Sequence, residues 1–202
     1  MENIDKIFLI NLDKRVDRLT EFMNEYLRME LPSEKLERFS AVYDPVQPCL
    51  GCTKSHLEVL KIARERQYKN VLVFEDDFDF IVDRETLDYS LKSFFDKNLD
   101  FKVLMLSFYS EGSIKCDELV STTTNAQTAS GYIVNCKYFD ELINCLEFGA
   151  KMLKETDAHW LYINDQVWKK LQGDKWFHFN NRIGVQRENY SDLSGCVVDY
   201  KL

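Results

Sequence analysis

The chain alternates short, almost wholly apolar runs with longer stretches whose apolar positions recur at helical spacing. Lys6 to Leu12, KIFLINL, has strand length and is rich in β-branched and aliphatic residues. The next stretch, Val16 to Leu27, sets Leu19, Phe22, Met23, Tyr26 and Leu27 along one helical face. A second strand is predicted over Leu36 to Val42. After the Pro45 to Gly51 loop, Thr53 is expected to cap a helix running to Gln67, with Leu57, Leu60, Ile62 and Ala63 inward. Val71 to Phe74, VLVF, follows as a buried strand. A helix over Arg84 to Lys97, strands over Lys102 to Phe108 and Gly131 to Asn135, and a helix over Lys137 to Phe148 continue the alternation. This order predicts an α/β fold, an αβα sandwich around a mainly parallel central sheet. No repeat, low-complexity segment or Pro/Gly/Ser linker breaks it, so residues 1–202 read as one domain, with an irregular tail from Arg187.

Composition narrows the function classes. With 202 residues, 45% of them hydrophobic, the chain can bury a substantial core. It contains no apolar run of about 18 residues, and acids precede the short apolar run of the N-terminus, unlike a secretory signal, so a cytoplasmic protein with no transmembrane segment is expected. A net charge of -8 and the lack of a basic patch argue against a nucleic-acid partner. Small phosphorylated ligands need only a few local cations. Six cysteines are present, and only Cys49 and Cys52 have ligand-like spacing. No second CxxC or CxxH completes a four-ligand zinc site, so free thiols in a reducing compartment are expected.

The strand VLVF runs directly into Glu75, Asp76 and Asp77. In open α/β sheets ligands bind beyond the carboxyl ends of the strands, which puts these three acids over the ligand crevice. Adjacent carboxylates repel each other, and a divalent cation is the economical compensation. In extended geometry Glu75 and Asp77 would face one side and Asp76 the other. Oxygen ligands suit Mg²⁺ or Mn²⁺, which would bridge a diphosphate; a solvated acidic turn is the competing interpretation. The first strand ends in Asn11-Leu12-Asp13-Lys14-Arg15-Val16-Asp17-Arg18, where helix amides with Arg15 and Arg18 could receive a phosphate or a nucleotide base, or form surface ion pairs instead.

Taken together, INLDKRVDR, RFSAV, GCTKSH, VLVFEDD and IGVQRENYSDLSG, in that order from about Lys6 to Gly195, resemble glycosyltransferase family 25, which includes bacterial lipooligosaccharide galactosyltransferases and collagen galactosyltransferase domains. The resemblance implies a GT-A fold, a UDP-sugar donor, a divalent metal (typically Mn²⁺) and inverting transfer to a hydroxyl of a glycan or hydroxylated protein acceptor. It implies that VFEDD is a version of the DxD motif, with Asp77 the metal ligand, Asp76 on the donor's ribose or sugar, and Glu75 supporting them. Asn11, Leu12, Arg15 and Arg18 match the nucleotide-contacting segment, with Ala41 and Val42 closing over the base. Lys54, Ser55 and His56 match the GCxxSH segment, although His56 is equally a core histidine.

GT-A enzymes often add a late histidine as a metal ligand, which here implies His178, with His159 competing. Inverting transfer needs a base, for which Asp165 is the candidate, with a first-turn or capping role as its alternative and Asp157 as runner-up base. Gln127, Ser130 and Gly131 precede a strand and are candidates to line the donor-sugar pocket, with a hairpin or loop whose glycine serves backbone geometry alone as the alternative. Tyr190-Ser191-Asp192 matches a family element in which serine stands where this chain has Asn189. Two other classes compete: a non-catalytic nucleotide-sugar or glycan-binding module of the same fold, and a metal-dependent phosphoester hydrolase. The transferred sugar, the acceptor and the oligomeric state are not encoded in any motif.

Overall fold

A computed structural model of the chain describes residues 1–191 and 196–198. In chain order the elements are β1 (Lys6–Asn11), α1 (Val16–Arg28), β2 (Leu36–Ser40), α2 (Pro48–Glu65), β3 (Asn70–Glu75), β4 (Phe78–Phe80) and α3 (Arg84–Asp96). The middle of the chain adds β5 (Val103–Met105), β6 (Tyr109–Ser110), β7 (Ser113–Lys115), β8 (Val120–Thr123), β9 (Ala126–Gln127) and β10 (Gly131–Asn135). Then come α4 (Phe139–Thr156), α5 (His159–Tyr162), α6 (Asn164–Val167), β11 (Gly173–Phe179), β12 (Gly184–Gln186), β13 (Asn189–Ser191) and β14 (Cys196–Val198).

The central sheet has eight strands in the order β2-β1-β3-β10-β5-β11-β8-β7. β10 and β8 run against the other six, so the sheet is mainly parallel in strand direction, although β10 separates the β2-β1-β3 block from β5 and β11. Alternation along the strands feeds two cores. Phe8, Ile10, Val71 and Val73 pack on the face covered by α2 and α4, where Leu57, Leu60, Leu142 and Leu146 meet them. Ile7, Leu9, Leu72 and Phe74 pack on the opposite face with Phe22 and Tyr26 of α1 and Leu91 and Phe94 of α3. The layered α/β architecture is therefore present as the periodicity predicts.

Several boundaries differ for local reasons. α2 begins at Pro48, five residues before the expected cap. Proline's fixed φ and missing N–H suit the first helical position, and Thr53 instead sits inside the helix, its hydroxyl donating to the Cys49 carbonyl. The strand expected over Lys102 to Phe108 is confined to β5; beyond it, Leu106 and Ser107 donate to the Gly131 carbonyl. The hairpin β7–β8 was not readable because its residues, SIK and VSTT, are mostly polar. The tail from Arg187 is not wholly irregular, since β13 pairs with β14.

The ring of Phe78, immediately after the acidic triplet, fills the space over two glycines. A Cβ at Gly131 would lie 2.4 Å from this ring, and one at Gly184 2.1 Å. The missing side chains let β10 and β12 close on Phe78 and fix where β3 turns into β4. Among the described residues, no helix is long and apolar enough to cross a membrane.

Candidate functional site

The carboxyl ends of β1 and β3 lie side by side, with Ile10 opposite Glu75 in a parallel register. Asn11, the last residue of β1 and only 1% exposed, ties the two ends together. Its Nδ2 donates to Asp76 Oδ2 at 2.6 Å and to the Arg15 carbonyl at 3.0 Å, while its Oδ1 accepts from Arg38 Nε at 2.8 Å. Arg18, in the first turn of α1, reaches across with Nη1 to Asp76 Oδ1 at 2.9 Å and Asp77 Oδ2 at 3.4 Å. Gln186 Nε2 donates to Asp77 Oδ2 at 3.1 Å, and the Arg187 N–H to the Asp77 carbonyl at 2.7 Å.

The triplet does not divide as extended geometry predicts. β3 ends at Glu75, and the turn at Asp76 and Asp77 breaks the alternation, so these two acids share Arg18. Glu75 keeps the strand's alternation and points to the α2 face, as do Val71 and Val73. There its Oε1 lies 2.7 Å from His56 Nε2, and His56 Nδ1 lies 2.8 Å from the Tyr132 hydroxyl.

Asp76 and Asp77 are both buried. Burial raises the Asp76 carboxyl, against the lowering effect of Arg18 and Asn11. Burial, followed by the charge of Glu75, pushes Asp77 up to about 7 although Arg18 opposes it. Asp77 Oδ1 is buried and has no hydrogen-bond partner among the described residues. A buried carboxylate oxygen without a donor is costly, and an oxygen-seeking divalent cation is the kind of group that would satisfy it.

The opposite wall comes from the chain's second half. Asp165, the second residue of α6, accepts from the Thr128 N–H at Oδ2, 3.0 Å. The residue in the cap position of α6 is Ile163, and no side chain caps that helix, so Asp165 braces the β9–β10 connection rather than its own helix end. Burial raises its carboxyl above the ordinary range. Gln127 accepts from Gln166 Nε2 and Lys169 Nζ, both at 3.0 Å, beside it.

Between these walls lies a cavity of about 400 Å³, within the range of small-ligand pockets. It brings together most of the residues singled out from sequence. Asn11, Leu12, Arg15 and Arg18 line it from the β1–α1 side, and Ala41 and Val42 from the β2–α2 loop. Ser55, Glu75, Asp76 and Asp77 form its floor, and Gln127 and Asp165 its far wall. Ser55 holds the loop in place by donating to the Gly51 carbonyl and accepting from the Val42 N–H, both at 2.8 Å.

Other candidates lie off the cavity. Lys54 points elsewhere on α2, and His56 lies behind Glu75. Ser130 is fully buried, its hydroxyl 2.6 Å from that of Ser107. His178 is not brought to the acidic triplet's cavity: it lies on β11, where Nε2 meets the Ser113 hydroxyl and Nδ1 the Phe179 carbonyl, both at 2.8 Å. Both ring nitrogens are thus engaged, and burial lowers its pKa. Asp157 ends α4 with φ 55°, and His159 is exposed on α5; neither lines the cavity. Tyr190 and Ser191 belong to β13, and Asp192 lies outside the described residues.

Sequence reasoning missed part of the lining. Tyr43, Asp44, Pro45 and Pro48 continue the β2–α2 loop, with Lys14 Nζ 4.6 Å from the Tyr43 ring centre. Thr128, Asn164, Gln186 and Arg187 are also in the lining. The aromatic residue after Val42 was a usable signal for the loop, whereas nothing local in Gln186 or Arg187 marks them.

No protein-family model matches the chain, and no curated protein matches it by sequence. Solved structures do. A glycosyltransferase involved in the glycosylation of the major capsid of PBCV-1 superposes with a TM-score of 0.55 at 8% identity, covering 94% of this chain and 95% of that one. A mannose-1-phosphate geranyltransferase from Thermus thermophilus gives 0.53 at 9% identity, covering 95% and 76%. The glycosyltransferase GlyE of Streptococcus pneumoniae gives 0.51 at 8% identity, covering 88% of this chain and 45% of that one. At these identities the likeness is one of fold. The chain has a GT-A-like α/β fold, and its acidic triplet stands at the carboxyl edge of that fold's central sheet.

Proposed function

We propose that this chain is a metal-dependent glycosyltransferase that moves a sugar from a UDP-sugar to a hydroxyl of a glycan or hydroxylated protein, with inversion at the anomeric carbon. The observation that carries the reading is the buried Asp76–Asp77 pair at the end of β3, with one oxygen of Asp77 lacking a donor, facing a ligand-sized cavity beside Arg15 and Arg18. The GT-A-like fold supports it. Specific membership of glycosyltransferase family 25 belongs to this same proposal, carried by the five sequence segments alone.

The residues present fit a divalent cation. Asp77 would hold it, with Asp76 alongside, and a bound Mn²⁺ or Mg²⁺ would act as a Lewis acid on the departing diphosphate. Arg18 offsets only one of the two aspartate charges, so the pair retains affinity for further positive charge. Arg15 and Arg18 would orient the nucleotide's phosphates, and the loop from Ala41 to Tyr43 would cover its base. Asp165 would take the acceptor hydroxyl's proton from across the cavity. Desolvation raises its proton affinity, as a general base requires, against the Thr128 N–H that it accepts.

The test is UDP release from a panel of UDP-sugars with Mn²⁺ and hydroxyl acceptors. One donor should turn over, and Asp77→Ala should reduce its turnover by a factor on the order of a thousand or more while the protein remains folded. Full activity in that variant would sink the assignment. UDP binding without release from any donor would indicate a binding module of the same fold. Cleavage of simple phosphoesters with no sugar requirement would indicate a hydrolase.

A further inference from the structure

At the α2 side of the cavity floor, with Glu75 as its shared member, lies a second set of metal-ligating side chains, with different chemistry. Cys52 and His56 are four residues apart on α2 and so share one face of that helix. Glu75 meets them from the end of β3. One ligand atom from each, Cys52 Sγ, a His56 ring nitrogen and a Glu75 oxygen, lie within 4.8 Å of one another. His56 Nε2 to Glu75 Oε1 is 2.7 Å, and Cys52 Sγ to the same oxygen is 3.8 Å.

We propose that Cys52, His56 and Glu75 bind one thiophilic divalent cation, of the Zn²⁺ or Cd²⁺ class, at a site separate from the Asp77 oxygens. The sulfur, nitrogen and oxygen donor set suits such ions and not Mg²⁺. His56 carries the outer support expected of a ligating histidine, because its Nδ1 is fixed by the Tyr132 hydroxyl at 2.8 Å and leaves Nε2 toward the cluster. Cys52 forms no disulfide, and both Cys52 and Glu75 line the cavity, which supplies an entry path and room for a further ligand. Asn164 Oδ1 lies 3.7 Å from the sulfur and accepts from it. On binding, the cation takes the place of the proton between His56 Nε2 and Glu75 Oε1, the neutral ring keeps its one proton on Nδ1 toward the Tyr132 oxygen, and the thiol's proton leaves to solvent, so the dication gains one thiolate, one carboxylate and one neutral imidazole. The proposal stands on this geometry and is independent of the transferase reading.

The experiment is a Cd²⁺ titration of the reduced, metal-free full chain with excess Mg²⁺ present to occupy hard oxygen sites. The expected result is one tight equivalent with a sulfur-to-cadmium charge-transfer band in the ultraviolet. Cys52→Ser should lose that band and weaken the equivalent at least about a hundredfold, and Tyr132→Phe should weaken it about tenfold by releasing the histidine. An unchanged band in Cys52→Ser would place the cadmium on other thiols and overturn the proposal, as would the absence of a tight equivalent in the unsubstituted chain. If Cys52→Ser does not fold, Glu75→Gln decides: weakened binding supports the site, and unchanged affinity removes it.

Discussion

The two walls of the cavity surround their carboxylates with different donors. Asp76 and Asp77 are caught by a guanidinium, an asparagine amide and a glutamine amide, drawn from α1, β1 and β12. Across from them, the half-buried Asp165 accepts, among the described residues, from the backbone N–H of Thr128 and the side-chain amide of its neighbour Gln166. Burial raises all three carboxyls, but on the first wall a guanidinium and two amides oppose it, whereas on the second the opposing donors are a backbone N–H and a neighbouring amide. A site that must neutralise an anionic ligand on one side and take a proton on the other needs both environments. The contrast teaches that the roles follow from what surrounds each acid, since the side chains themselves are alike.

The comparison breaks most visibly at Asp165. If it is the base, Asp165→Asn lowers kcat by about 10²–10⁴-fold and changes KM for the donor little; a variant altered only in KM makes it a binding residue. The same substitution has a second signature in stability. Burial raises the folded-state pKa of Asp165, so its contribution to stability is fully present below the unfolded value of about 3.9 and is lost as pH rises through the folded pKa. Asp165→Asn, which cannot ionise, should therefore gain on the unsubstituted protein between acid and neutral pH in denaturant melts. Parallel stability profiles would show that the carboxylate is not held neutral.

Arg18→Ala tests the other wall. It removes a guanidinium shared by two buried carboxylates and should destabilise the protein by about 3 kcal/mol at neutral pH, with a smaller loss in acid where the acids are protonated. A loss of under about 0.5 kcal/mol would mean that the pair behaves as a surface ion pair. The smallest effect concerns the strap holding Asp165. Thr128 has φ 87°, a region costly for a β-branched residue. Thr128→Gly should exceed Thr128→Ala in stability by about 1 kcal/mol in paired melts, because only glycine adopts that angle without strain. Equal stabilities would place no strain in the strap.

Much of one wall was legible in the chain. Asn11, Arg15, Arg18 and the acidic triplet lie within a few residues of strand ends, and a strand end in this fold class is a ligand edge; the run VLVFEDD therefore pointed to its own site. Asp165 was legible only as an acid opening a short helix. Lys54 fell on the right helix yet points away, because one residue's shift along a helix changes the face, and Ser130 lies in the β9–β10 connection with its hydroxyl on that of Ser107. His178 was singled out by residue type, but its partners Ser113 and Phe179 are fixed by the β7–β8 hairpin and by β11 itself, and the mostly polar hairpin gave no periodic signal.

By itself the sequence determined the alternation of strands and helices, the two faces of β1 and β3, and the concentration of acid at the end of β3, since periodicity and neighbouring residues are local properties. Only the tertiary structure decided that Asp76 and Asp77 share Arg18 while Glu75 turns to His56, that β10 is inserted antiparallel between β3 and β5, and that Gln186 and Asp165 reach the same cavity. Those outcomes depend on how a turn breaks the strand's two-residue period and on which distant segments pack together, and neither is written in any short stretch of chain.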